Sequence, residues 1–169
     1  IFSSPISLIA TVLTIIIGGV AFTGSIVTFL KLQELMTSRP VIIPLGRFIT
    51  IGVALANVFF AMYLIYSPQV WMMWTLAILS LVLGVLFVLP VGGADVPIVI
   101  SLLNAFAGLS VAGMGYVLGN VLLLIGGTLV GASGTLLTQL MAQAMGRPLT
   151  NTLFGAFTAT AQSVVSSSE

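Results

Sequence analysis

Residues 90–115 read PVGGADVPIVISLLNAFAGLSVAGMG, and this stretch decides what kind of chain surrounds it. Pro90, Gly92 and Gly93 break whatever precedes them. Asp95 then stands before Val96 and Pro97, the pattern of an acidic N-cap with proline in the first turn of a helix. From there to about Leu118 no residue carries a charge, a run long enough to cross roughly 30 Å of hydrocarbon as a helix. One carboxamide, Asn104, interrupts it in the middle.

Four further runs of the same kind flank it, so the helices are expected at about 6–30, 48–66, 70–89, 95–118 and 121–145. Lys31 and Glu34 stop the first, and TSRPVIIPLGR, residues 37–47, separates it from the second. Ser67, Pro68 and Gln69 leave room only for an antiparallel hairpin between the second and third, and Gly119 and Asn120 turn the fourth into the fifth. Each run is far longer than the roughly ten residues of a membrane β-strand and lacks strict alternation. The expected fold is therefore all-α and integral to a membrane, a bundle of five transmembrane helices.

The composition agrees. Of 169 residues 59% are hydrophobic and 4% charged, with a mean hydropathy of +1.30, where a water-soluble domain would carry about a quarter charged residues. Four Lys and Arg make no basic patch for nucleic acid. The absence of cysteine excludes disulfides and thiolate metal sites, and the absence of histidine removes the commonest metal ligand and neutral-pH proton carrier, so no metal site is expected. Proton chemistry within this chain must use carboxylate, amide, hydroxyl or water. The chain opens on Ile1 without a basic leader or initiator Met, as a segment of a longer protein would.

Lys31, Arg39 and Arg47 sit in or beside the first linker, and Arg147 follows the fifth run. Threading five spans puts both places, and the linker from Pro90 to Asp95, on one side of the membrane. By the positive-inside tendency that side is cytoplasmic, or the matrix in a mitochondrion, leaving the N-terminus outside and the C-terminus inside. Tyr63, Tyr66, Trp71, Trp74 and Tyr116 fall near the opposite, uncharged ends, where an interfacial belt would hold them.

Small residues line three runs: Gly18, Ala21, Ser25 and Thr28 in the first, Gly127, Gly131, Gly134 and Thr138 in the fifth, and Gly108 and Gly115 beyond Asn104 in the fourth. Such stripes let helix backbones approach closely. In the fourth helix, Ser101 and Asn104 beside glycines would also leave room for water, so packing and a hydrated path both stay open there. Two motif matches fail. Gly113, Gly115 and Gly119 have the wrong spacing and context for a dinucleotide loop, and Ser133 between Gly131 and Gly134 has no histidine to activate it.

Asp95 and Asn104 lie nine steps apart, about 13 Å along a helix and on opposite faces. They cannot pair directly within one ideal helix. Asn104 lies deep enough that an unpaired amide is costly, so it must face protein or water; Asn57 carries a weaker version of the same demand.

Three stretches, GGVAFTGSIVTFLKLQ (18–33), VGGADVPIVISLLNAFAG (91–108) and GTLVGASGTLLTQLMAQAMGRP (127–148), resemble the membrane domain of proton-translocating nicotinamide nucleotide transhydrogenase, specifically its β subunit or the equivalent part of a fused chain. The resemblance covers all five runs in order and implies the last five helices of that domain, residues 1–149. Residues 150–169, rich in Ser, Thr and Ala, would then be the linker toward an NADP(H)-binding domain. It further implies hydride transfer between NADH and NADP⁺ at two soluble domains, coupled to proton passage, in an inner membrane. Partners would be those NAD(H)- and NADP(H)-binding domains, the other membrane helices, the lipid bilayer and a second copy of the complete enzyme.

By the same resemblance Asp95 matches the aspartate at the inner mouth of the fourth helix, where it would serve both the proton path and the coupling to the NADP(H)-binding domain, and Asn104 the polar residue lining that path, with Ser101 beside it. Gly131, Ser133 and Gly134 match a segment sensitive to change, and Arg147 the basic hinge residue. NAD(H) and NADP(H) belong to the complete enzyme, and neither cofactor nor hydride-transfer site is expected within this segment. The sequence departs from the family pattern at Gly146, commonly Asn, at Pro148, commonly Ser, and at Glu34, commonly Gly. Two other readings compete: a small-solute transporter or channel subunit, which would show an internal repeat that is not visible here, and a structural anchor, which gives no reason to bury Asn104.

Overall fold

The computed structural model describes residues 4–41, 43 and 45–148. Five helices follow in order: α1 Pro5–Leu32, α2 Gly46–Tyr66, α3 Val70–Val88, α4 Val96–Leu118 and α5 Val121–Ala144, with a 3₁₀ turn over Gly93–Asp95 leading into α4. All five are long and apolar enough to cross a membrane, and no strand occurs among the described residues. The expected helices are present, with ends shifted by two residues or fewer except that Asp95 precedes α4 in the 3₁₀ turn. The Thr150–Glu169 linker lies outside the described residues.

Local chemistry explains the ends. At the start of α1, Ser4 caps through its hydroxyl oxygen, which accepts from the Ser7 amide, and Pro5 occupies the first turn. Asn120 does the same for α5, accepting from the amides of Leu122 and Leu123. α4 stops at Gly119, whose φ of +66° suits glycine; its amide and that of Asn120 donate back to the carbonyls of Tyr116 and Gly115. Where α1 ends, Glu34 adopts a φ of +56°, a left-handed conformation that favours glycine.

The helices pack mainly in the spatial order α2, α3, α1, α4, α5, so the bundle is an open row rather than a closed ring. Large apolar side chains such as Phe22, Phe59, Leu122 and Leu129 are exposed on the row. Along the helix axes, toward the Ser67–Gln69 turn, Val12, Leu64 and Leu76 form an apolar cluster; toward the opposite end of the row, Val27, Val88, Val91, Val99 and Leu103 form a second.

The α4–α5 contact is built from glycine. A Cβ on Gly108 would lie 2.6 Å from the Gly131 amide nitrogen, and one on Gly127 would lie 2.7 Å from the Gly108 carbonyl oxygen. The stripe of Gly127, Gly131, Gly134 and Thr138 is buried throughout, as its spacing predicted. On α1 the expected stripe divides. Ala21 and Thr28 are buried, whereas Ser25 is exposed, and Gly24, outside the stripe, packs against Leu103 and Val88. Hydroxyl-to-carbonyl bonds stitch the row: Thr23 to Leu81 at 2.7 Å, Ser80 to Ile15 at 3.4 Å and Ser110 to Thr14 at 3.2 Å. In hydrocarbon such bonds and close backbone packing hold helices together where no hydrophobic drive exists.

Candidate functional site

One end of the row gathers nearly all the charge the structure describes. Arg147 and Asp95, separated by 52 residues in sequence, form an ion pair there, the Nη1 atom donating to Oδ1 at 2.8 Å and to Oδ2 at 2.9 Å. The carboxylate is 13% exposed and the guanidinium carrier 51%, so the pair sits at a boundary, with the acid tucked in and the base facing out. Asp95 precedes α4 as expected but makes no side-chain capping bond. The carboxylate is turned to Arg147 instead, because a guanidinium offers a stronger, charge-assisted partner than a neutral amide.

Arg147 is delivered by the way α5 ends. Gly146 has a φ of +66°; its amide donates to the Gln143 carbonyl at 3.0 Å, and the Arg147 amide donates to the Ala142 carbonyl at 3.1 Å. This is the paired-bond termination that a left-handed glycine allows, and it fixes the backbone of the residue that follows. Glycine meets no steric penalty in that conformation, so Gly146 suits the turn.

Two backbone bonds lace the linkers beneath the pair. The Gly93 amide donates to the Ser38 carbonyl at 2.8 Å, and the Val41 amide to the Leu89 carbonyl at 3.2 Å. Lys31 adds a third tie. It is 2% exposed, and its Nζ donates to the carbonyls of Val88 at 3.1 Å, Leu89 at 2.7 Å and Val91 at 2.6 Å. From the sequence, Lys31 is expected as a stop to the first helix and a topology marker, whereas it lies inside α1. The available signal was its place inside the last turn of an apolar run, where a lysine must either reach for water or find carbonyls.

Deeper in α4, Ser101 is buried against α5. Its Oγ lies 2.9 Å from Thr138 Oγ1, and Thr138 Oγ1 lies 2.7 Å from the Gly134 carbonyl oxygen. Thr138 was expected only as a small packing residue. Gly131 and Gly134 face Leu109 and Ala105 of α4, whereas Ser133 is exposed and bonds back to the Val130 carbonyl of its own helix at 3.3 Å.

Asn104 is exposed on the row, with no hydrogen-bond partner among the described residues. It therefore parts from Ser101 and Gly108, which are buried on α4's α5 side; the single face expected for all three is two faces. At spacings of three and four Asn104 shares a stripe with Ala107 and Val111, which line an open groove of about 540 Å³ between α1 and α4 with Gly18, Phe22 and Ser25. Asn57 shows the opposite: 2% exposed, its Nδ2 donating to the Val53 carbonyl at 3.1 Å and its Oδ1 without a partner. Among the described residues no cluster of His, Cys, Asp or Glu converges to hold a metal ion.

The sequence that builds this arrangement, an acid–base pair at the mouth of an apolar helix pair joined by glycine, has relatives among known proteins. The family model described as NAD(P) transhydrogenase beta subunit matches residues 3–169. The chain belongs to the NAD(P) transhydrogenase beta subunit family. Two relatives from Rhodospirillum rubrum, one from a named strain, are each called NAD(P) transhydrogenase subunit beta; both are 37% identical over 151 residues, covering 89% of this chain and 32% of theirs. The chain thus spans about a third of the length of these transhydrogenase relatives, and it is a multi-pass membrane part of such a subunit.

Proposed function

We propose that this chain is the proton-translocating segment of a transhydrogenase, coupling proton passage to hydride transfer between NADH and NADP⁺ in the complete enzyme. The observation that carries the reading is the Asp95–Arg147 pair, which ties the mouth of α4 to the end of α5 at the point where the chain leaves the membrane. An NADP(H)-binding domain joined through residues 150–169 would push or pull on Arg147 directly. Asn104 would line the proton path, with the remaining wall supplied by other helices of the membrane domain seated on the α1–α4 groove. Its exposure on this row supports that placement, because an amide at this depth needs a partner from outside the five helices. Ser101, hydrogen-bonded to Thr138, would transmit changes along the path to α5 and its Gly131–Gly134 contact.

The coupling is conformational. Proton occupancy can bias nucleotide binding only by making contacts at the soluble domain differ between two states. The charged end would face the cytoplasm or matrix of an inner membrane, with the N-terminus on the other side. NAD(H) and NADP(H) would bind on the soluble domains of a dimeric enzyme, and this segment would supply no hydride-transfer site. The test is hydride exchange between NADPH and an NAD analogue by the complete enzyme in sealed vesicles, with a pH-sensitive dye inside. Turnover with an uncoupler-sensitive pH change is expected; turnover without one would reduce this segment to an anchor.

A further inference from the structure

Lys31 is a buried cation, and among the described residues no carboxylate pairs with it. A lysine ammonium has three donors, and here each has a carbonyl: Val88, Leu89 and Val91. These oxygens lie at and just past the end of α3 at Val88, where Pro90 stops the helix; that of Val88 also accepts from the Val91 amide and that of Leu89 from the Val41 amide, each using a second lone pair. The negative end of the α3 dipole offsets the buried charge, so the cation is at home without an acid. The segment it grips runs on through Gly92 and Gly93 into Asp95. Apart from Lys31, the cross-linker ties on that segment are the Gly93–Ser38 and Val41–Leu89 backbone bonds.

We propose that Lys31 is a positioning residue: its ammonium clamps residues 88–91 and thereby holds Asp95 within bonding distance of Arg147. The clamp is geometric and follows from the carbonyl tripod alone; its consequence for coupling rests on the transhydrogenase reading above. A compact ammonium suits three converging oxygens, whereas the planar fork of arginine does not, so charge alone is not enough.

Two readouts on the complete enzyme test this. The first is amide hydrogen exchange in Lys31→Met. Exchange over residues 89–95 should rise about tenfold or more, while that of α5 stays within about twofold. Unchanged exchange over 89–95 would overturn the clamp, whatever the enzyme's activity. The second is a cycle of Lys31→Met, Asp95→Asn and the double variant, read as proton-linked turnover in vesicles. If Lys31 acts through Asp95, the double variant should lose no more than about twofold beyond Asp95→Asn alone, whereas independent roles would multiply. Multiplying losses in an enzyme whose parent pumps would overturn the link to Asp95 and leave the proposed function standing; a parent that does not pump would overturn that function and leave the exchange result to decide the clamp. Lys31→Arg should recover less than half of the lost turnover, and full recovery would reduce Lys31 to a simple charge. Should Lys31→Met fail to fold, Lys31→Gln carries the same two readouts with the same criteria.

Discussion

The two ends of the helix row are made by different chemistry. At one end linkers are long, and a lysine, an ion pair and crossed backbone bonds fix where each strand of chain runs. At the other, Ser67–Gln69 and Gly119–Asn120 are short turns, the packing is the apolar contact of Val12, Leu64 and Leu76, and the rim is aromatic, with Trp71 81% exposed. The second end needs only to stay at an interface. The first has its atoms placed, as the proposed coupling to a neighbouring domain would require. The contrast also separates two kinds of polar group: those that finish a fold, such as Asn120 capping α5, and those that leave a contact open to change, such as the outward half of the Asp95–Arg147 pair.

The contrast can be broken most severely where the ends are joined. Asn104→Leu removes the exposed amide between them, and proton-linked turnover of the complete enzyme should fall about 100-fold, near the top of the usual range for a coupling free energy. Proton-independent exchange at the nucleotide sites should remain; equal loss of both would remove Asn104 from the path. Next comes Arg147→Glu, which sets a second carboxylate against Asp95. An effect of about tenfold on proton-linked turnover is expected, with partial recovery when Asp95→Arg is added. Gly127→Ala drives a methyl group into the α4 backbone, and thermal or denaturant unfolding in detergent should report a loss of about 1–3 kcal/mol. At the charged end Glu34→Gly relieves a left-handed residue and should stabilise by about 1 kcal/mol on the same assay. Trp71→Phe on the aromatic rim should change stability by no more than about 0.5 kcal/mol and leave coupling intact; a larger effect would mean the uncharged end is also built to position something.

The helices were legible because an apolar run of this length has one solution in lipid, and the shared end of the charges followed from counting spans. The order of the row was not, since neighbours are chosen by the shapes of small-residue surfaces that sequence spacing only outlines: α1 uses Gly24 where the pattern pointed to Ser25. Asp95 was legible as the mouth of α4, but its partner lay 52 residues away, beyond any local pattern. Periodicity treats all polar interruptions alike, and so it ranked Asn104 above Asn57 as the amide requiring a partner without showing that Asn57 is the enclosed one. Lys31 was read as a charge at a boundary because nothing in a one-dimensional pattern tells a snorkelling lysine from one turned inward.

The left-handed finish of α5 makes the helix and its terminal ion contact a single mechanical part. With the Arg147 amide pinned to the Ala142 carbonyl, the Arg147 backbone turns whenever α5 turns. A rotation by one residue, about 100°, would carry that backbone to another face of the helix, whereas a slide by the 1.5 Å of a single rise would keep it on the same face. The end of α5 is in this sense a crank, sensitive to torque and forgiving of thrust.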